Sequence, residues 1–264
     1  MMAGQELLLN RIDNYNLDSF PRSVILLGEK GSGRHTIAEY ISLKLHIEKV
    51  EIRTPVSYED IEQFLTRPQP YLYLFDASLL SIKQQNVILK FLEEPLKNCY
   101  IIIVCQTKQQ LLDTILNRCQ IWTLETYTPE ALKKMFPQVT DFQLSIANTP
   151  GQVIDILKIS EDDIEHMYVL AEKMVYSISR AGIANTLSVA ERFYYGKQED
   201  GKYSFEIFIK ILLNSVRKAI VENTDPVFYN IYRLTSDMYN QTFIPNISKK
   251  QLFEHYLMKL KLGV

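Results

Sequence analysis

The sequence predicts an α/β domain with a parallel sheet followed by an all-helical region, and three observations lead to that fold class. A glycine-rich loop joins an apolar, strand-like segment to an amphipathic helix within residues 23–45. Strand-like and helix-like segments then alternate up to about Glu125, as is typical of a doubly wound sheet. Beyond about Ser160, apolar residues recur only at helical spacing.

The elements of the predicted sheet follow one another in a regular order. An amphipathic helix is predicted over residues 5–19, before the first strand. Strands are predicted at 23–27, 50–52, 71–75, 100–105 and 120–124, separated by helices at 36–45, 58–65, 81–94 and 111–116. The run 100–105 is nearly all apolar, so we expect it in the centre of the sheet, where both faces of a parallel strand are buried.

The second half of the chain is predicted to be helical. Thr149-Pro150-Gly151 marks a turn or a helix entry, and Pro129 stands at a first helical position. Helices are predicted at 130–136, 141–147, 162–179, 183–195, 203–222, 226–240 and 248–261. The predicted domains are therefore an α/β domain at 1–125, a small helical domain at 126–160 and a C-terminal helical domain at 161–264.

Composition narrows the class of protein. The 264 residues are 47% hydrophobic, which suits packed cores, and the net charge of −2 gives no general basic field for DNA. The three cysteines form neither a disulfide framework nor a zinc pattern. No apolar run approaches about 18 residues, and the first 20 residues lack a signal-peptide pattern. We therefore expect a cytoplasmic protein with no membrane partner.

The loop Gly28-Glu29-Lys30-Gly31-Ser32-Gly33-Arg34-His35 is a phosphate-binding loop with an altered end. Gly28, Gly31 and Gly33 predict the usual cradle of backbone N–H groups at a helix N-terminus. The full motif ends in Lys and then Ser or Thr, whereas this chain has Arg34 and His35. The glycines predict that the loop keeps its geometry. Because imidazole is a poor ligand for Mg²⁺, we expect that the loop no longer supports hydrolysis of a nucleotide.

Two charged residues outside the loop are candidates for nucleotide chemistry. Asp76 ends a predicted strand, where a carboxylate either helps to hold Mg²⁺ or caps the next turn, and Ala77 follows it. Arg118 is either a solvated charge or an arginine finger that points at a neighbouring subunit's γ-phosphate. Gln106 and Thr107 follow the apolar strand, where they either sense a γ-phosphate or form a plain loop.

Three further motifs carry a family resemblance. The run 76–80 (DASLL), the run 86–95 (NVILKFLEEP) and the run 117–120 (NRCQ) are similar to the motifs D-A-x-x-L, N-A-L-L-K-x-L-E-E-P and S-R-C-Q. In these motifs the chain resembles the bacterial DNA polymerase III clamp loader. Ala3-Gly4-Gln5 and the run 148–151 fit as well, so that the resemblance covers about residues 3–157.

The resemblance implies an AAA+ module with a small helical lid, followed by a collar domain that joins subunits into a ring. Such a ring loads a sliding clamp on primer-template DNA within the DNA polymerase III holoenzyme. Arg34, His35, Ala77 and Gly151 replace residues that the motor subunits keep, which points to the non-hydrolysing delta-prime type of subunit. By the same resemblance, Arg118 would act in trans on a motor (tau/gamma) subunit, with the delta subunit as a further partner.

The chain also departs from the family pattern. Asn117 replaces the usual Ser, and no cysteine-rich zinc module lies between Leu45 and Tyr71, so no zinc is expected. No cofactor is required by this interpretation, and weak binding of ATP or ADP in the altered loop stays open. Two other functions also stay open: an AAA+ ATPase that is active on its own, and a nucleotide-binding module with an unrelated role.

Overall fold

The structure, a computed structural model, forms two compact units. It describes residues 4–52, 71–95, 99–180, 205–223, 225–242, 244 and 247–262, so the helices predicted at 58–65 and 183–195 lie outside the described residues. The first unit comprises Met1–Met135 with Thr149–Gln152, and the second comprises Phe136–Asn148 with Val153–Val264. The boundaries predicted for three domains stay a prediction.

A five-stranded, wholly parallel sheet forms the first unit. Its strands are β1 (Ser23–Leu27), β2 (Glu48–Ile52), β3 (Tyr71–Asp76), β4 (Cys99–Cys105) and β5 (Gln120–Thr123). The strand order is β2-β3-β4-β1-β5, which confirms both the parallel sheet and the central position of the apolar strand β4. Every residue of β4 is buried, as its sequence predicts.

Helices cover both faces of this sheet. They are α1 (Glu6–Asp13), α2 (Arg34–Leu45), α3 (Ile82–Glu93) and α4 (Asp113–Leu116), and a further helix, α5 (Pro129–Met135), follows the last strand. Alternate residues of β4 enter opposite cores: Ile102 packs on the side of α1 and α2, whereas Ile103 packs on the side of α3 and α4. This alternation follows from the two-residue period of a strand.

Local side-chain hydrogen bonds decide where two of these helices begin or end. Helix α1 ends at Asp13, earlier than predicted, because Asn16 and Ser19 close a turn in which the Asn16 N–H donates to Ser19 Oγ over 3.0 Å. Helix α3 begins after Ser81, whose N–H donates to Gln84 Oε1 over 2.8 Å in a capping box.

The second unit is helical throughout its described part, as predicted. Its helices are α6 (Asp141–Ile146), α7 (Pro150–Leu157, which begins in the first unit), α8 (Glu161–Arg180), α9 (Phe205–Glu222), α10 (Pro226–Gln241) and α11 (Lys249–Leu262). Helix α9 packs against both α8 and α10, and α10 packs against α11. Among the described residues, no helix is both long and apolar enough to cross a membrane.

Candidate functional site

The glycine loop has the backbone geometry of a phosphate cradle. Gly31 and Gly33 adopt φ angles of +81° and +100°, which favour glycine strongly. Helix α2 begins directly afterwards at Arg34, two residues earlier than predicted, and no side chain caps its first turn. Its leading N–H groups are therefore directed towards the loop, the arrangement that attracts anions at a helix N-terminus.

The turn at residues 149–152 closes over this loop. The Gly151 N–H donates to the Gly31 carbonyl over 3.0 Å, and Thr149 Oγ1 donates to the Lys30 carbonyl over 2.8 Å. The two glycines touch through their backbones: a Cβ on Gly151 would lie 2.5 Å from Gly31 Cα. The Gln152 amide adds a hydrogen bond of 3.1 Å to Glu29 Oε2. The loop and the turn are thus joined by protein contacts alone.

The N-terminal segment supports the loop from another direction. Gln5 is wholly buried, and its amide group exchanges two 2.9 Å hydrogen bonds with the backbone of Glu125. Tyr127, two residues further on, donates from its hydroxyl to the Ser32 carbonyl over 3.1 Å and packs against Gly4. Sequence reasoning did not assign Gln5 a role, although the run Ala3-Gly4-Gln5 belonged to the family resemblance.

Arg34 is buried beside the loop, with only 7% of its surface exposed. Burial lowers the pKa of its guanidinium, while the negative charge of Asp76 acts in the opposite direction. Within the described part of the chain, this side chain has neither a hydrogen bond nor an ion pair within 4 Å. Arg34 thus brings a buried positive charge to the place where the motif has lysine.

His35 lies between two carboxylates. Its Nδ1 is 3.2 Å from Glu51 Oε1, and its Nε2 is 3.8 Å from Asp76 Oδ2. Lys49 forms an ion pair with Glu39 and lies 3.9 Å from Glu51 Oε2. The imidazole therefore has carboxylate partners of its own in the position that the motif gives to a magnesium-binding hydroxyl.

Asp76 caps the turn that follows β3. Its Oδ1 accepts hydrogen bonds from the Ser78 N–H over 2.9 Å and from Ser78 Oγ over 2.7 Å. Burial by itself would raise the pKa of Asp76. The nearby His35 imidazole, the hydrogen bonds from Ser78 and the charge of Arg34 outweigh burial and lower this pKa to about 2. Asp76 is therefore a carboxylate at neutral pH that is already engaged by neighbouring side chains.

These residues do not fit a magnesium–nucleotide in the manner of a P-loop nucleoside triphosphatase. One carboxylate oxygen of Asp76 accepts two hydrogen bonds from Ser78, and the other faces His35, which is a poor ligand for Mg²⁺. Across the residues that the structure describes, no three His, Cys, Asp or Glu side chains are gathered as a metal site.

Arg118 is held at four points. Its N–H donates to the Ile115 carbonyl over 3.0 Å, and its own carbonyl accepts from Ser23 Oγ over 3.1 Å. In the side chain, Nη1 donates to the Thr114 carbonyl over 3.0 Å, and Nη2 lies 2.7 Å from Glu93 Oε1. The side chain is 37% exposed, so this fixed guanidinium also faces solvent.

The sheet separates the predicted site residues into two places. Gly28, Gly31, Gly33, Arg34 and Asp76 come together beyond the carboxyl ends of β1 and β3. Arg118 lies near the amino ends of the strands, at the opposite end of the sheet, since its carbonyl contacts the first residue of β1. The five residues of β1, at about 3.3 Å each, separate Arg118 from the glycine loop by roughly 15 Å. Arg118 therefore cannot reach the loop of its own chain.

The loop after β4 is ordered by glutamines. The Gln106 N–H donates to Gln110 Oε1 over 2.6 Å, and Thr107 begins the short turn that contains Gln110. Buried Gln85 on α3 donates to the Gln110 carbonyl over 3.0 Å and accepts from the Leu112 N–H over 2.9 Å. Sequence reasoning missed Gln85, although its place three residues before Ile88 puts it on the buried stripe of α3.

The fold and the loop define a P-loop-type α/β domain whose nucleotide-binding end has been altered. A family model described as DNA polymerase III, delta subunit, matches residues 46–128. The chain is 28% identical over 123 residues to DNA polymerase III subunit delta' of Bacillus subtilis (strain 168), a match that covers 45% of this chain and 37% of the relative. These matches confirm the resemblance that the motifs predict.

A second relative and two solved structures add to the comparison. DNA polymerase III subunit delta' of Haemophilus influenzae is 37% identical over 59 residues, or 22% of this chain and 18% of the relative. The chain thus matches well under half of the length of both relatives. A DNA polymerase III gamma subunit-related protein of Thermotoga maritima is 15% identical with a TM-score of 0.49, covering 98% of this chain and 99% of that one. A RuvB variant of Thermotoga maritima is 19% identical with a TM-score of 0.48, covering 72% and 84%.

Proposed function

We propose that this chain is a non-hydrolysing clamp-loader subunit of the DNA polymerase III type. In this role it helps to load a sliding clamp on primed DNA and supplies Arg118 in trans to the ATP site of a neighbouring motor subunit. Its partners are the motor (tau/gamma) and delta subunits, and through the complex the clamp and the primer-template DNA. The matches to two delta' subunits and to the family model described as DNA polymerase III, delta subunit, support this class of function.

The observation that carries the proposal is the position of Arg118. Its guanidinium is fixed and partly exposed, and Arg118 lies near the amino ends of the strands, whereas the chain's own glycine loop lies beyond their carboxyl ends. A fixed cation at such a distance serves no phosphate in its own loop. This position supports a role in which Arg118 stabilises the negative charge that develops on a γ-phosphate held by another subunit.

The chain's own loop supports the non-hydrolysing part of the proposal. His35 is engaged by Glu51 and Asp76, and Ser78 takes up one oxygen of Asp76, so Mg²⁺ would have to displace existing partners. Ala77 offers no carboxylate to activate an attacking water. The 149–152 turn and the loop are already joined, so no nucleotide is needed to hold them together.

Two activity measurements test the proposal. The purified chain alone is expected to hydrolyse no ATP above background, with or without Mg²⁺. In a complex reconstituted with motor and delta subunits, Arg118→Ala should abolish the share of ATP turnover that depends on the neighbouring site, because an arginine finger contributes about 10³-fold or more. Lys83→Ala, which removes an exposed positive charge from the same unit, is the matched control and should leave turnover unchanged.

Three results would contradict the proposal. A complex with Arg118→Ala that turns over ATP and loads clamps at the wild-type rate would remove the role in trans. Magnesium-dependent turnover by the isolated chain, lost in Asp76→Ala, would instead favour an ATPase that is active on its own. Failure to co-purify with clamp-loader subunits would favour a nucleotide-binding module with an unrelated role.

A further inference from the structure

We infer that Glu93 is a positioning residue for Arg118, which it holds in the conformation that engages the neighbouring ATP. The inference rests on the proposed function and adds a residue to it. Glu93 is the last residue of α3, and its Oε1 lies 2.7 Å from Arg118 Nη2. This is the length of a strong, charge-assisted hydrogen bond.

The pair completes an anchorage of Arg118 that its backbone begins. Hydrogen bonds to the Ile115 carbonyl and from Ser23 fix the main chain of Arg118. The Thr114 carbonyl and Glu93 then take one N–H each from Nη1 and Nη2. Within the described residues, Arg118 has no other side-chain hydrogen bond, so its remaining N–H groups stay available to an incoming phosphate.

The physical benefit is preorganisation. An arginine side chain is long and loses much rotamer freedom when it is fixed, and this loss weakens any interaction that must first immobilise it. Glu93 and the Thr114 carbonyl impose most of that order before the neighbouring subunit arrives. Without Glu93, the guanidinium has only the contact with the Thr114 carbonyl to hold it.

Glu94 provides a matched control, because it is the next residue and has the same charge. It is exposed, it lies outside α3 as its C-cap, and its N–H bonds to the Lys90 carbonyl. The side chain of Glu94 makes no hydrogen bond or ion pair with the described residues. Glu94→Gln therefore repeats the change of charge without touching the contact to Arg118.

The test uses the full chain in the reconstituted complex. We define the Arg118-dependent turnover as the difference between wild type and Arg118→Ala. Glu93→Gln keeps an acceptor oxygen but removes the negative charge that strengthens the bond to Nη2. It should lower kcat for this share by about three- to tenfold, as expected when a catalytic group is held less firmly in its orientation, with KM for ATP unchanged. Glu94→Gln should have no effect. Thermal unfolding of each isolated variant confirms that it is folded.

A double variant separates positioning from a general structural effect. Because Glu93 acts through Arg118, Glu93→Gln should cause no further loss in the Arg118→Ala background. A normal rate for Glu93→Gln beside a slow Arg118→Ala complex overturns the inference and leaves the proposed function standing. An equal loss in both backgrounds also overturns it. A normal rate for Arg118→Ala overturns the proposed function and the inference together.

Discussion

The contact between Gly31 and Gly151 predicts a sharp response to one added methyl group. Gly151→Ala places a Cβ 2.5 Å from Gly31 Cα, closer than real Cβ atoms approach another heavy atom, and 3.2 Å from the Gly31 carbonyl oxygen, which is also tight. The obstacle is backbone, so no side-chain rotation relieves it. The glycine loop and the 149–152 turn must move apart.

The magnitude follows from what that movement breaks. Three hydrogen bonds join the two segments through backbone carbonyls of the loop: from Gly151 N to Gly31, from Thr149 Oγ1 to Lys30 and from Gln152 Nε2 to Lys30. At about 1 kcal/mol each, their loss costs about 3 kcal/mol. Replacing glycine by alanine within a helix by itself stabilises the folded state by about 0.5–1 kcal/mol, which offsets part of this loss. The free energy of unfolding of the α/β unit should therefore fall by about 2 kcal/mol.

Fluorescence of Trp122 in urea measures this change. Trp122 is the only tryptophan of the chain, it is 1% exposed and it lies in the core between the sheet and α1 and α2, so its emission reports on this unit. Gln152→Ala is the control, since it removes side-chain hydrogen bonds that are exposed to solvent but permits the backbone contact, and it should cost less than Gly151→Ala. A Gly151→Ala variant as stable as wild type would refute the reasoning.

Two other predictions concern Asp76 and Gln85. The lowered pKa of Asp76 adds stability that is complete above about pH 4, its unfolded value, and is lost as pH falls towards 2. In a plot of the free energy of unfolding against pH, Asp76→Asn should therefore reduce the fall between about pH 4 and 2. An unchanged fall would contradict the lowered pKa of Asp76. Gln85→Leu leaves the Leu112 N–H without its partner and should lower the midpoint of urea unfolding by an amount equivalent to about 2 kcal/mol. Gln84→Ala should cost less, because the Ser81 N–H that bonds to Gln84 belongs to an exposed residue and water can replace its partner.

Most of the sheet could be predicted because its signals are local. The apolar run at β4 indicates burial on both faces, and the alternation within β3 places Leu74 and Phe75 in opposite cores. The start of α2 was predicted two residues late, because the left-handed conformation of Gly33 lets the helix begin at Arg34. The end of α1 was predicted too late because the Asn16–Ser19 turn competes with the helix.

For the candidate site, the sequence could predict which residues take part but not which partners they contact. The altered motif pointed to Arg34 and His35, and the strand end pointed to Asp76. The partner of His35 at Glu51 and the partner of Arg118 at Glu93 could not be predicted, because each pair joins segments that are distant in sequence and neighbouring only in the fold. The sequence also left open whether Asp76 helps to hold Mg²⁺ or caps the next turn, and that choice depended on where the fold places Ser78 and His35.

By itself, the sequence determined the periodicities, the glycine loop and the loss of its Lys and Thr, since these are properties of neighbouring residues. The tertiary structure alone decided that Gly31 and Gly151 touch and that Arg118 and the loop lie at opposite ends of one sheet. The first relation arises where residues 149–152 dock on the glycine loop, about 120 positions away in the chain, and the second arises from the alignment of the parallel strands. Spacing along the chain carries no measure of such distances.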